Sequence, residues 1–268
     1  MIDKEQNASI ADTGLASNSR SFKFFNQKTV LILIMIIIAI VVTVINQNFL
    51  SLKNLFNIIS AVSVIGIATI GASMVLITGE FDLTLGAVFS VTAWLMALFT
   101  PTYGATLGIT AALIAGLIFG TITGLVVTNV KANSFIVTLA LGSVYTGVGL
   151  LMNRGAYSSM SGFFTIFKEK IFGVIPYSII ALLVVLVAAG LVFKFTKFGR
   201  VIFLTGANQN AAYLSGVKVK VYKIIVFAVA GVLYGLASIV LVSQISVAMN
   251  YIGASYTLAA IAAAVLGG

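Results

Sequence analysis

Glu80 and Asp82, in the stretch "LITGEFDLTLG", are the only acidic residues between position 13 and position 168. An acid at the centre of a spanning helix costs about 2.5–3.5 kcal/mol on insertion scales, so a carboxylate inside lipid needs a purpose. Two readings follow. In the first, Asp82 is the N-cap of the helix after a tight turn at the membrane surface, with Glu80 solvated beside it. In the second, the turn breaks a helix that lines a path through the membrane, and the carboxylates accept hydrogen bonds from a solute's hydroxyls or gate the path. Other chemistry is bounded by what is missing. The chain has no His and no Cys, which removes thiol redox chemistry, disulfide frameworks and the usual zinc, haem and iron–sulfur ligands. No catalytic residue and no metal site is expected, because the inventory of nucleophiles and bases is nearly empty.

A second polar feature is "GANQNAAYLSGV", residues 206–217. Asn208 suits an N-cap, Gln209 to Leu214 can form under two turns of helix, and Gly216 suits the left-handed residue that ends it. So short a helix is unstable alone, since nucleation is costly below ~12 residues, and it must lean on the membrane domain or on another protein. A third feature is the cationic group Arg154, Lys168 and Lys170, with Tyr145, Asn153 and Tyr157 as candidate polar or aromatic faces for a solute. Tyr is equally expected at a membrane interface.

The elements that must position these residues are membrane helices. The composition is 60% hydrophobic and only 8% charged, with a mean hydropathy of +1.17, far from a soluble mix. A span needs ~20 apolar residues at ~1.5 Å rise each. Eight runs meet or approach that ruler, at 30–46, 55–78, 83–100, 104–128, 135–152, 174–193, 223–245 and 252–268. Barrel strands would alternate over ~10 residues instead. The fold class is therefore all-α and polytopic, with a polar tail over 1–28, placing Lys23 and Lys28 near headgroups, and a membrane domain over 29–268. The first run has no small-residue cleavage site after it and reads as a retained anchor.

The net charge of +9 sits at the ends of apolar runs, which fits positive-inside topology better than nucleic acid. Alternation from a cytoplasmic N terminus puts Lys131 and the loop 194–222 inside, with Lys194, Lys197, Arg200, Lys218, Lys220 and, at the edge, Lys223. It puts the loop 153–173 outside. The chain stops at "AAIAAAVLGG", within an apolar run. Either the last span ends at the membrane surface or the chain is truncated from about ten spans, the reading favoured here. The segment 65–80 also echoes 253–268 in its small residues, a texture shared by helix-packing surfaces and internal repeats.

Four stretches, in order, resemble the permease subunits of ABC importers of the ribose and monosaccharide type. "FGRVIFLTGANQNAAYLSGVKV" resembles that family's coupling segment, and "LITGEFDLTLGAVFSVTA" its Gly-Gly-Ile-Asp-Leu-Ser-x-Gly stretch. "FIVTLALGSVYTGVGLLM" resembles its Phe-Ile-x-Thr-Leu segment, and "YTLAAIAAAVLGG" its Tyr-Glu-Leu-x-x-Ile-Ala-Ala-x-Val-Leu-Gly-Gly end. Together they cover 50–268. The departures are Glu80 for the second Gly, Thr257 and Ala259 for a Glu and an Asp, and "ANS" at 132–134 for a Pro-rich turn. The resemblance implies a bacterial plasma-membrane importer of a monosaccharide or similar small hydrophilic solute. Its expected partners are a second permease copy, two cytoplasmic ATP-binding subunits and an extracytoplasmic solute-binding protein. It also implies that Gly206, Asn208, Ala211, Ala212, Ser215 and Gly216 form a joint with an ATPase, that Glu80 and Asp82 belong to the translocation path, and that Arg154, Lys168 and Lys170 dock the binding protein. The chain has no G-x-x-x-x-G-K-[ST] phosphate loop, so ATP is expected on another subunit and no cofactor on this one. The alternative function is a secondary transporter or channel without ATPases, which would need an embedded coupling-ion site, usually with acids on several helices.

Overall fold

A computed structural model describes residues 27–130, 132–153, 158–160, 162–171 and 173–267. It falls into two units, residues 1–51 and 52–268. In the first, α1 (Gln27–Ile45) is apolar on every side, and Thr43 returns its hydroxyl to the Ala39 carbonyl at 2.6 Å. A helix uniformly apolar around its circumference is what lipid selects, because no face has to meet water.

The second unit contains α2 (Leu52–Ile77), α3 (Leu85–Tyr103), α4 (Ala105–Asn129), α5 (Ser134–Asn153), α6 (Tyr177–Phe195), α7 (Lys197–Ala207), α8 (Gln209–Leu214), α9 (Val219–Ile245) and α10 (Ala254–Gly267). Two-residue strands β1 (Ser158–Ser159), β2 (Lys170–Ile171), β3 (Ile175–Pro176) and β4 (Val247–Ala248) make two small antiparallel pairs, β1 with β4 and β2 with β3. The chain is an all-α polytopic membrane protein. All eight expected runs are helical, but only α2, α3, α4, α5, α6 and α9 are long and apolar enough to cross a bilayer among the described residues; α1 and α10 are shorter.

The core is the crossing of α4 and α9. Ala112, Gly116, Gly120 and Gly124 recur every four residues along one side of α4, which lets its backbone lie against α9. A methyl added at Gly116 or Gly120 would run into the carbonyl oxygens of Gly231 or Phe227. Without a hydrophobic driving force in lipid, such close backbone packing is what holds spans together. At one end of α9, Gln244 donates to the Ser60 carbonyl of α2 at 3.0 Å, and Ser60 shares a hydroxyl bond with Ser178 of α6 at 2.8 Å. The loop between α5 and α6 is pinned to the same end, where the Phe167 amide donates to Ser243 at 3.1 Å and the Met160 amide to the Ser246 carbonyl at 2.8 Å. The segment containing α8 lies at the opposite end, where α9 begins.

The stretch 194–222 holds a second helix besides the short one expected near 208–215. Its first part contains α7, eleven residues long and capped by Thr196, whose hydroxyl accepts from the Gly199 amide at 3.2 Å. Gly199, Ile202 and Thr205 form its buried side, the i, i+3, i+6 spacing of an interfacial helix. A repeat also emerges in a register other than the expected echo. "ASMVLI" at 72–77, late in α2, corresponds to "ASIVLV" at 237–242, late in α9. Each precedes an irregular segment and then a helix, α3 or α10.

Candidate translocation groove and coupling helix

The turn carrying Glu80 and Asp82 is a break that folds back along the helices beside it. Gly79, at φ 81°, reverses the chain after α2, a conformation that costs glycine nothing. Residues 80–84 then run without helix along α9. Glu80 is ion-paired with Lys223, in the second turn of α9, and Asp82 Oδ2 accepts from the Tyr234 hydroxyl at 3.2 Å. Lys223 and Tyr234 are eleven residues apart, about 16 Å of helix axis, so Asp82 lies beside the middle of α9.

Non-helical backbone at that depth survives only where protein groups satisfy it. Here hydroxyls do so. Ser134 accepts from the Phe81 amide at 3.0 Å, and Thr138 accepts from the Leu83 amide at 3.1 Å. Asp82 Oδ1 accepts from the Thr84 amide at 2.9 Å and from its hydroxyl.

Both details of the surface reading are therefore corrected. Thr84, not Asp82, occupies the N-cap position of α3, and Asp82 is 4% exposed. Glu80 is not solvated alone but carries the single ion pair found among the described residues. The carboxylates are brought together with α9, and neither is among the residues lining the groove described next.

The break opens a groove of about 520 Å³ between α3, α5 and α10. Leu83, Gly86, Ala87 and Ser90 form one wall. Leu139, Gly142, Ser143, Thr146, Gly147 and Leu150 form the second, on one side of α5. Tyr251, Ala254 and Thr257 form the third. The wall has hydroxyls and small residues and no Asp, Glu, Lys or Arg. The first turns of α3 and α10 both border it, so the partial positive ends of two helices face the space. These helices cross where Gly86 meets Gly253. A Cβ on Gly86 would approach the Gly253 carbonyl oxygen to 2.8 Å. Just beyond, the Gly253 amide donates to Ser90 at 3.0 Å, and Phe89 stacks on Tyr256 at 5.0 Å. Tyr251 holds φ 60°, a left-handed conformation that costs a side-chain-bearing residue of order 1–2 kcal/mol.

The polar segment folds as its spacing predicts. Asn208 Oδ1 accepts from the Ala211 amide at 3.0 Å, the Ser215 hydroxyl donates to the Ala211 carbonyl at 2.9 Å, and Gly216 has φ 83°. Gly206 lies against the Ile77 carbonyl at the end of α2, where a Cβ would not fit. Ala212 is fully buried, turned into its own domain, whereas Tyr213 and Leu214 are 71% and 84% exposed. The large apolar part of the outward surface of α8 is thus Tyr213 and Leu214, which the sequence reading passed over, beside the exposed Gln209, Asn210 and Ala211.

This geometry has known counterparts. Residues 54–268 match the family described as "Branched-chain amino acid transport system / permease component". The ribose import permease protein RbsC of Bacillus subtilis (strain 168) is 35% identical over 233 residues, covering 85% of this chain and 72% of the relative. Its namesake in Escherichia coli (strain K12) is 34% identical over 251 residues, covering 90% of this chain and 77% of the relative. The autoinducer 2 import system permease protein LsrC of Yersinia pestis (strain Pestoides F) is 28% identical over 246 residues, covering 91% of this chain and 70% of the relative. The chain belongs to this permease family. No solved structure matches it. It is a multi-pass transport permease and not an enzyme.

Several expected positions of the permease fall elsewhere. Lys168 and Lys170 are exposed, on the loop at the end of α9 away from α8. Arg154, Tyr157, Lys131 and Lys23 lie outside the described residues, as do the side chains of Lys28 and Asn153. Tyr145 does not face the groove. It is buried, with its hydroxyl 3.0 Å from Thr123 Oγ1 and 3.2 Å from the Phe119 carbonyl it donates to. Ser90, Ser143, Thr146, Tyr251 and Thr257 were missed; Ser143 and Thr146 carry a sequence signal in the i, i+3, i+4 spacing of small and hydroxyl residues on α5.

Proposed function

We propose that this permease imports a neutral, polyhydroxylated solute of monosaccharide size as one of two copies around a shared path. Separate cytoplasmic ATP-binding subunits drive it, and an extracytoplasmic binding protein supplies it. The groove carries the solute reading. Its volume lies in the range of small-molecule sites, about 300–1,000 Å³, and its wall offers hydroxyls, backbone and helix N-termini with no carboxylate or ammonium. A helix N-terminus can meet the carboxylate of an amino-acid solute, but its ammonium would need an acid, and this wall has none. The relatives named for ribose point the same way.

Charge supports an orientation. The end of the second unit bearing α7 and α8 carries Lys194, Lys197, Arg200, Lys218 and Lys220 with no acid between them, which favours the cytoplasmic side for it under the positive-inside rule. There α8 is the joint with an ATPase: Asn208, Ala211 and Ser215 hold its shape, Gly216 ends it, and Gly206 and Ala212 seat it on the membrane domain. The exposed Lys168 and Lys170 are the docking cations for the binding protein, and Asp82 shapes the path by holding the break and does not touch the solute. The test is uptake of radiolabelled ribose and of radiolabelled leucine by cells making the permease with its partner subunits. Ribose accumulation that excess neutral sugar suppresses and excess leucine does not is the expected result; uptake of leucine alone overturns the reading.

A further inference from the structure

We infer that Lys223 is the positioning residue that ties the coupling helix to the wall of the groove, an inference that rests on the importer reading. Three elements meet at its ammonium. Lys223 Nζ, on a side chain 6% exposed, donates to Glu80 in the break after α2 and to Gln209 Oε1 at 3.0 Å. Gln209 is the first residue of α8 and Glu80 is three residues from Leu83, whose side of the break lines the groove. Three extended residues span about 10 Å. The path from joint to groove is therefore two side-chain contacts and one short segment of backbone.

The segment is built to transmit. Gly79 gives it a pivot at one end. Beyond Glu80, its amides are held by Ser134 and Thr138 of α5, and Asp82 is held by Tyr234 of α9. A push on α8 cannot be absorbed within α8, which is six residues long and hydrogen-bonded at both ends. Gly206 adds a backbone contact from the same region to the end of α2. A buried ion pair is weak evidence for stability, since apolar replacement of both partners is often neutral. Its position at the meeting point of α8, α9 and the break is accounted for by coupling.

The absence of Cys makes the test direct. The permease is purified with its native ATPase and binding protein and carries the single substitution Leu83→Cys. The rate at which a membrane-impermeant thiol reagent modifies that position is compared without nucleotide and with ATP plus vanadate. With Lys223 and Glu80 intact, the two rates should differ about tenfold, within the range that coupling between two sites produces. With Lys223→Met and Glu80→Gln together, which leave no unpaired charge, ATP hydrolysis should persist and the difference should vanish. Exchange of the pair, Glu80→Lys with Lys223→Glu, should restore it. A difference that survives the double neutral substitution overturns the inference while leaving the importer reading intact. Failure of any ATPase to co-purify with the unsubstituted permease overturns both.

Discussion

If α8 is the joint with an ATPase, the energy of that contact should reside in Tyr213 and Leu214. Ala212 is sealed against its own domain, whereas Leu214 leaves 84% of its surface in water and Tyr213 leaves 71%. Fully burying a leucine side chain stabilises by about 1.5–3 kcal/mol. Seating Leu214 in an ATPase cleft should therefore contribute about 2 kcal/mol, and its removal should weaken association about thirty-fold. The substitution Leu214→Ala loses no internal packing, so the permease alone should keep its stability within about 0.5 kcal/mol. Affinity can be read by titrating the ATPase against fluorescently labelled permease in detergent, with thermal unfolding as the control. An unchanged Kd for Leu214→Ala and for Tyr213→Ala would refute the assignment of this surface. Ala212→Arg should also block assembly, but by expelling α8 from its seat, which would register as a lower unfolding temperature in the isolated permease.

Asp82→Ala should strand the Thr84 amide and the Tyr234 hydroxyl in a buried site and destabilise by about 1–3 kcal/mol per unpaired group, whereas Asp82→Asn keeps its one acceptor oxygen for Thr84 and can turn its NH2 to the Tyr234 oxygen; thermal unfolding should show the smaller loss for Asn. Gly253→Val should force α3 and α10 apart at their crossing, costing about 1–3 kcal/mol of overpacking and abolishing uptake while ATPase binding at α8 remains. Reversal of charge at Lys168 and Lys170 to Glu should slow association with the binding protein, and the gap from wild type should narrow as salt rises, because such pairs act through steering over a Debye length of about 8–10 Å; stopped-flow rates at two ionic strengths measure it.

The parts legible in the sequence are those set by local rules. The caps of α8 depend on residues within four positions of one another, so Asn208, Ser215 and Gly216 could be read directly, and span length marked all eight apolar helices. What lies across the membrane was not legible. Lys223 looked like the edge of a basic loop, because its partner Glu80 is 143 residues away. Tyr145 could not be assigned a side, since a helix apolar all round carries almost no amphipathic signal, and a hydroxyl turned to Thr123 looks the same in sequence as one turned to a groove. The break at 80–84 was visible as a turn, but its depth was not. That depth is fixed by Tyr234 and by two hydroxyls on α5, none of them near it in the chain. The residues that form the groove are the small and hydroxyl types that also pack spans together, so composition cannot tell the two uses apart.

The central claim is that this chain transports by a joint driven from ATP on another subunit. The most direct measurement is solute uptake in cells under two separate treatments, depletion of ATP with ion gradients held, and collapse of the ion gradients with ATP held. The account predicts that uptake stops under the first treatment and continues under the second. Uptake that survives ATP depletion and fails when the gradients collapse would contradict it.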